Sequence, residues 1–494
     1  MVAMSGAVFV ELANMIAYDI RRGALRAGDR LPSQRSFAAR MRVNRSTVVA
    51  AFDELTAQGW IVSRGAAGTF VADEIPDRSP ERAALKRASR AVGAVGLAAK
   101  PGFDVRTIAV APWPGGARDA KFRVSIGVPD PRLVPVDALA RAYRRALRGQ
   151  HRAALEYSDA RGSERLRAAV AAMLRHARGI PCGPEHVLIT NGSQMALELC
   201  ARVLVEPAPR DADSRREAPG LGNSIAIEEL GYRQAWRAFE EAGARLVGVP
   251  VDAAGLVVDE LPAGLRAIYV TPHHQYPTTV LMSPARRMAL LAHARKARVA
   301  ILEDDYDHEF HFDGRPVAPL AADDAGGNVI YIGTLSKVLA PGLRLGFVAA
   351  PERVIERLGQ LRAVTDRQGD QIVEHAVAEL IEDGELARHT RRSRAIYGER
   401  RAALLRTLER ELPGVLDFAL PPGGITVWAR AADGIHVERW KQRAAEQGVA
   451  LATGRDFDRE GRALPYVRLA FARYTEAEMA EAVRRLAKAL KAAR

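Results

Sequence analysis

The chain has 494 residues, 48% of them hydrophobic and 27% charged, the balance of soluble globular proteins rather than of disordered or membrane chains. That length predicts several domains around a large buried core and excludes a small disulfide-stapled fold. Lys and Arg total 72 against 59 Asp and Glu, a net charge of +13 that permits nucleic-acid binding. No apolar run reaches the roughly 20 residues of a membrane span. The N-terminal stretch MVAMSGAVFVELANMIAYDIRRG lacks the basic start and cleavage site of a signal peptide, so a cytoplasmic location is expected. Cys182 and Cys200 form no zinc or disulfide pattern; both are expected to be reduced and structural, and no metal is expected. Only eight lysines occur, and Lys337 is the only one between Lys296 and Lys441.

Phe9, Leu12, Ala13, Ile16 and Ile20 recur at helical spacing and predict a first helix ending near Gly23. In LPSQRSFAARM, Ser33 is placed to cap a second short helix. Asn44 then caps a third, with Val48, Ala51, Phe52 and Leu55 as its inner face. Two short helices joined by a tight turn predict a helix-turn-helix. WIVSR and GTFVA, around Gly65 and Gly68, predict a hairpin or wing. Five arginines and no acid lie between Arg30 and Phe52. Arg45, Ser46 and Thr47 open the third helix, where a recognition helix meets the major groove, although charge alone fits a solvated basic face equally well.

The run GALRAGDRLPSQRSFAARMRVNRSTVVAAFDELTAQGWIVSRGAAGTFV, with its LPSxR and NRxTV elements, resembles the GntR-type winged helix. The resemblance implies that Arg35, Arg45, Thr47 and Gly68 face double-stranded DNA. Arg35 and Arg45 would supply phosphate or base contacts, and Gly68 would let the wing backbone approach the minor groove. A DNA-binding domain is thus expected over residues 1–72.

Residues 73–120 hold Pro76, Pro80, Pro101, Pro112 and Pro114 without a sustained amphipathic period, which predicts a linker with one short helix at 81–91. From residue 121 to 494, apolar runs such as HVLIT, SIAIE, RAIYV, VAILE and NVIYIG alternate with helical patterns. This predicts an α/β domain with a mostly parallel central sheet whose ligands sit at the carboxyl ends of strands. After VLIT come Asn191, Gly192, Ser193 and Gln194 at a helix start, which suits phosphate. After VAILE come Asp304, Asp305 and Tyr306; after VIYIG come Thr334, Ser336 and Lys337, then Arg344. Taken singly, these are an ordinary strand-to-helix turn, a capping carboxylate and a solvated lysine. Together they are the parts that hold pyridoxal 5′-phosphate: an amine for its aldehyde, a carboxylate for its pyridinium nitrogen, and a helix start with hydroxyls and an arginine for its phosphate.

GTLSKVLAPGLRLGF, with EDDYDHEF set so that Asp304 precedes Lys337 by 33 residues, resembles the fold-type I aminotransferase family, as do YSDARGSERLR, NGSQMAL and HHQYPTT; the resemblance spans roughly residues 121–490. It implies that Lys337 is the Schiff-base lysine, Asp304 the pyridinium partner and Tyr306 the donor to the ring's phenolate oxygen. Tyr232 would stack on the ring, and Ser193, Gln194, Thr334, Ser336 and Arg344 would surround the phosphate. Asp304 is preferred to Asp305 because alternating strand faces let only one reach the cofactor, and the family pattern favours the first. Arg468, in YVRLAF, matches the arginine that grips a substrate carboxylate, though an arginine on an edge strand is commonly just exposed. Tyr157 matches a tyrosine that reaches a neighbouring subunit's phosphate, which implies a head-to-tail homodimer. Three features depart from the family pattern: Thr279 stands where it has glycine, Leu230 where proline is usual, and residues 206–223 form a polar insertion. An arginine-rich helix at 385–401 fits a solvated face better than a second DNA surface.

A GntR-type module followed by an aminotransferase-like domain resembles the MocR-type bacterial transcription regulators from end to end. This implies a DNA-binding regulator that senses pyridoxal 5′-phosphate or an amino compound at Lys337. A coupling of about 1–3 kcal/mol between the two sites is sufficient. The competing expectation is a working aminotransferase with an incidental N-terminal module. A purely cofactor-storing dimer leaves Arg35 and Arg45 unexplained.

Overall fold

The computed structural model describes residues 5–73, 102–105, 107, 114–116, 119–148, 153–205, 221–314 and 317–493. The expected helix at 81–91 and residues 206–220 of the insertion lie outside these. The chain divides into two compact units, Met1–Thr107 and Ile108–Arg494.

In the first unit, α1 (Ser5–Arg21), α2 (Gln34–Met41) and α3 (Arg45–Ala57) are followed by a β1–β2 hairpin (Ile61–Ser63 and Thr69–Val71). Leu12, Ile16 and Ile20 of α1 close on Phe37 of α2 and on Val48, Ala51, Phe52 and Leu55 of α3, forming one buried cluster. The starts of α2 and α3 are each fixed by a capping side chain: Ser33 Oγ accepts from the Ser36 amide at 3.2 Å, and Asn44 Oδ1 accepts from that of Ser46 at 3.1 Å. Such caps contribute about 1 kcal/mol apiece. Arg42, between α2 and α3, takes a left-handed conformation (φ 54°) and makes the tight turn.

The second unit is built on a seven-stranded sheet. Its spatial order is Val187–Thr190, Gly346–Ala349, Val329–Thr334, Ala300–Asp305, Ala267–Val270, Ser224–Glu228 and Arg245–Val249. Gly346–Ala349 runs antiparallel to both its neighbours, and the remaining pairings are parallel. Both faces are buried by strand alternation. Ile225, Ile227 and Leu302 pack with Trp236 and Phe239 on one face, while Ala226, Ile301 and Ile268 pack with Leu290 and Leu291 on the other. Beyond the sheet, a four-stranded antiparallel sheet (Leu416–Asp417, Thr426–Ala431, Tyr466–Ala470 and Ala452–Thr453, in spatial order) packs with helices Glu385–Glu411, Val437–Glu446 and Glu476–Lys491 around Trp440.

The helix Glu385–Glu411 differs from a solvated basic face at its centre. Arg400 and Arg401 are buried: Arg400 pairs with Asp130 at 2.8 Å and Arg401 with Asp313 at 2.7 Å, and both also donate to backbone carbonyls. Arg388, by contrast, is exposed and pairs with Glu385 at 2.6 Å. Cys182 and Cys200 are buried and unbridged, and burial pushes the Cys200 thiol up to about 12, which leaves it inert near neutrality.

Candidate functional site

The central strands bring together most of the residues singled out in the large unit. Asp304 lies near the end of Ala300–Asp305 and is 5% exposed. Tyr269, on the adjacent strand, donates its hydroxyl to Asp304 Oδ2 at 2.8 Å, while Oδ1 is buried without a partner. Burial raises this carboxyl to about 7, reinforced by Asp305 and Asp307 and opposed by the Tyr269 hydrogen bond and Lys337. Asp305 has different surroundings. Burial by itself would raise it, but His308, His273 and Arg178 hold it well below the ordinary range, and the Tyr331 hydroxyl donates to its Oδ2 at 2.7 Å.

Lys337 follows the strand Val329–Thr334, and its Nζ donates to the Gly127 carbonyl at 2.6 Å. Burial pulls the amine down to about 8, Arg468 adds to this, and Asp307 and Asp304 oppose it. A lysine held there is partly neutral, and so nucleophilic, close to physiological pH. Tyr306 donates its hydroxyl to the His274 carbonyl at 2.9 Å; burial raises its phenol, which Asp304, Arg468 and Tyr276 also influence. Tyr232 precedes helix Arg233–Glu241, lies edge-on to Tyr276 at 5.7 Å, and is held high by burial and then by Tyr276 and Asp304.

Arg468 is 3% exposed, on a strand paired on both sides, which removes the edge-strand explanation. Its guanidinium lies 4.4 Å from the Tyr276 ring centroid and reaches only the Ser125 carbonyl, at 3.4 Å. Its Nε has no partner, and among the described residues no carboxylate pairs with it. A buried cation in this state is matched to an incoming anion.

The residues expected to take a phosphate gather at the start of helix Ser193–Leu204. Gly192, with φ 84°, precedes Ser193, and a Cβ on it would lie 3.0 Å from Arg344 Nη2; glycine leaves that guanidinium its room. Arg344 donates to the Asn191 carbonyl at 2.8 Å, and Thr334 Oγ1 accepts from the Ser336 amide at 3.1 Å. Gln194 donates its side-chain amide to the Gln234 carbonyl at 3.0 Å, leaving Oε1 buried and unpartnered. Tyr157 is not part of this group: it stands 80% exposed, with Arg367 4.7 Å above its ring.

Two residues escaped the sequence reading. Tyr269 carries Asp304, and strand alternation opposite the acidic strand end was its only signal. Tyr276, inside the quoted HHQYPTT, is the ring that Tyr232, Tyr306 and Arg468 all face. Thr279 adopts φ 64°, so the conformation glycine supplies elsewhere is kept by a β-branched residue. The Leu230 carbonyl accepts from the Gln275 side chain at 2.7 Å.

In the first unit, Arg35, Arg45 and Ser46 are exposed and Thr47 is half-buried at the starts of α2 and α3; no carboxylate pairs with either arginine among the described residues. Gly68, at φ 113°, shapes the wing, and a Cβ there would lie 3.0 Å from the Arg30 guanidinium.

Residues 121–486 match the family Aminotransferase class I and II, and residues 10–71 match Bacterial regulatory proteins, gntR family. The probable rhizopine catabolism regulatory protein MocR of Rhizobium meliloti is 34% identical over 442 residues, covering 89% of this chain and 85% of that protein. The HTH-type transcriptional regulator TauR of Rhodobacter capsulatus is 32% identical over 500 residues, covering 98% and 97%. Among solved structures, LysN, the α-aminoadipate aminotransferase of Thermus thermophilus complexed with N-(5′-phosphopyridoxyl)-L-leucine, has a TM-score of 0.67 and 31% identity, covering 76% of this chain and 93% of that one. Fold and site thus define a DNA-binding winged helix joined to a fold-type I domain whose cofactor is pyridoxal 5′-phosphate. The chain belongs to the MocR-type transcription regulators. Among the described residues no helix is long and apolar enough to cross a membrane.

Proposed function

We propose that this regulator, acting in the cytoplasm as a head-to-tail homodimer, senses a carboxylate-bearing amino compound at Lys337 and converts its arrival into a change in DNA affinity. The observation that carries this reading is the Arg468 guanidinium, buried without a carboxylate in the electrostatic neighbourhood of Lys337 and Asp304. The orphaned Asp304 Oδ1 fits a pyridinium proton, and the opening that Gly192 leaves beside Arg344 fits a phosphate. When bound, pyridoxal 5′-phosphate supplies an aldehyde that condenses with amines and a ring that withdraws electrons.

The protein's own residues do the rest. Lys337 presents an amine poised to lose its proton, Asp304 would share a proton with the ring nitrogen, and Tyr306 and Tyr232 would hold the ring. Ser193, Gln194, Thr334, Ser336 and Arg344 would hold the phosphate, joined by Tyr157 of the other subunit. Arg468 selects amines that carry a carboxylate. On the DNA side, residues 1–72 form the reading domain, with Arg35, Arg45, Ser46, Thr47 and Gly68 at the duplex; residues 73–120 are a linker and 121–494 the sensing domain.

Borohydride treatment followed by peptide mass spectrometry tests the assignment. The reduced cofactor is expected on the Lys337 peptide and absent from Lys337→Ala; modification of another lysine overturns it. A second reading, turnover as an aminotransferase, is supported by the presence of every chemical group at once. It is tested by keto-acid formation in the presence of an amino donor.

A further inference from the structure

Behind the sensing site the fold gathers four buried histidines that the proposed chemistry does not use. His273 and His274 follow the strand Ala267–Val270, while His308 and His311 follow Ala300–Asp305; an isolated bridge from His311 to Gly423 brings in the C-terminal part of the unit. All four are at most 7% exposed. The His273 and His274 ring centroids are 4.5 Å apart, and His274 and His311 lie nearly parallel at 6.3 Å.

Their hydrogen bonding is incomplete in one direction. Both ring nitrogens of His273, Nε2 of His274 and Nδ1 of both His308 and His311 are buried with no hydrogen bond. A buried polar atom left unmet forfeits its hydration without return, so five of them gathered at the ends of two neighbouring strands form a costly arrangement unless a ligand meets them. His274 is already oriented: its Nδ1 lies 2.7 Å from Asp307 Oδ1, and that carboxylate is 2% exposed. A carboxylate holding one ring nitrogen while the other is left without a partner is the outer-sphere arrangement of a metal-bound imidazole. A Cβ on Gly423 would collide with His274 Nε2, so the glycine keeps a side chain out of the space this nitrogen faces.

We infer that His273, His274 and His311 form a binding site for one divalent transition-metal ion, with Zn2+ the best-suited occupant. Their nitrogens lie within 4.8 Å of one another. Zn–N bonds of about 2.0–2.1 Å in a tetrahedral set place ligand nitrogens about 3.3 Å apart, so the three rings would have to draw in around the ion. Three imidazole nitrogen donors, with a fourth position left to water, suit zinc and would equally accept Co2+ as a spectroscopic substitute, whereas Mg2+ and Ca2+ require oxygen ligands. A second grouping, His273 with Asp305 and His308, also exists. It is the weaker candidate, because Asp305 already receives the Tyr331 hydroxyl and lies 2.9 Å from His308 Nδ1. The site touches the sensing pocket through one bond: the His274 carbonyl accepts the Tyr306 hydroxyl, so an ion on His274 braces the residue that positions Tyr306.

The test uses the full-length protein, incubated with Zn2+, freed of excess ion by gel filtration, and assayed by elemental analysis. One zinc per chain is expected in the wild type and close to none in the double variant His273→Gln/His311→Gln. Asp307→Asn is expected to weaken zinc binding about 10–100-fold, the usual effect of removing a carboxylate that orients a ligand. Folding of each variant is followed by its cofactor absorbance and DNA binding. X-ray absorption on the wild type alone answers the question if the double variant does not fold, since imidazole back-scattering at about 2.0 Å identifies the ligands. Zinc stoichiometry equal in wild type and a folded double variant, no zinc retained by either, or a wild-type ion without imidazole scattering overturns the site.

Discussion

In the proposed function Lys337 must reach the cofactor and be neutral enough to attack it, and in water its amine would stay charged near neutrality. Burial resolves the conflict by drawing the amine down to about 8, with Arg468 adding to the effect. The same shift is a stability statement. With a folded value of about 8 and an unfolded value of about 10.4, the unfolded chain carries more protons across that window, so the stability of the cofactor-free protein rises with pH through it. Below about pH 8 both states are protonated and the folded state bears the full cost of burying the charge. Urea midpoints measured from about pH 7 to 10.5 should show this rise in the wild type and lose that component in Lys337→Met; identical profiles refute it. Arg468→Leu removes a buried cation that lacks an acidic partner, so the variant should fold. Binding of carboxylate-bearing amines, followed by the cofactor's absorbance, should weaken by about 2–5 kcal/mol, the usual cost of deleting one partner of a buried charge pair. Amines without a carboxylate should be unaffected. Thr279 gives a third residue-scale case. A β-branched residue at φ 64° costs about 1–2 kcal/mol, of which glycine's larger unfolded-state entropy returns roughly half, so Thr279→Gly should stabilise the protein by about 1 kcal/mol in denaturant titration.

At the scale of elements, α3 presents its N-terminal end with Arg45 and Ser46 exposed, while Val48, Ala51, Phe52 and Leu55 hold its other face in the core. A contact to DNA phosphate releases a counterion, so Arg45→Ala should flatten log K against log salt by about one unit if Arg45 meets phosphate. If it meets a base edge, the substitution should cost about 1–3 kcal/mol and relax sequence preference. Unchanged affinity, slope and preference in a salt-titrated binding assay exclude both roles. The helices of this module were readable in the sequence because caps and core face are local: Ser33 and Asn44 announce the helix starts within three residues. Strand ends in the large unit were readable for the same reason, since a run such as VAILE delivers Asp304 to the sheet's edge in a single step. What depends on distant segments was not readable. The histidine cluster draws on two loops and a glycine more than 100 residues further along the chain, and Tyr269 meets Asp304 only because their strands are neighbours in the sheet. Arg400 and Arg401 sit in a run of arginines that composition cannot divide; Asp130 and Asp313, far away in sequence, decide that these two are buried.

For the whole molecule, Tyr157 is the residue of the proposed cofactor site that stands apart from the rest within one chain. That side chain is 80% exposed, with Arg367 resting on its ring, an arrangement that leaves its hydroxyl free for a group outside its own subunit. If it completes the partner's phosphate site, association and cofactor retention are linked equilibria: whatever favours the dimer favours the cofactor, and the converse also holds. Sedimentation should therefore show a dimer at micromolar concentration, with cofactor occupancy falling on dilution in parallel with dimer fraction. Tyr157→Phe removes one hydrogen bond to a charged group, so cofactor affinity should fall by about 1.5–3 kcal/mol. Mixing this variant with Lys337→Ala separates the roles: in the hybrid dimer, one site lacks both groups and the other has both, so half the sites should recover wild-type affinity. A monomer that retains the cofactor tightly, or a hybrid no better than Tyr157→Phe alone, counts against a shared site. Lys337→Ala on its own should still bind DNA with the wild-type salt slope but lose the change in affinity on adding an amine, because reading the duplex and sensing the ligand depend on different units of the chain.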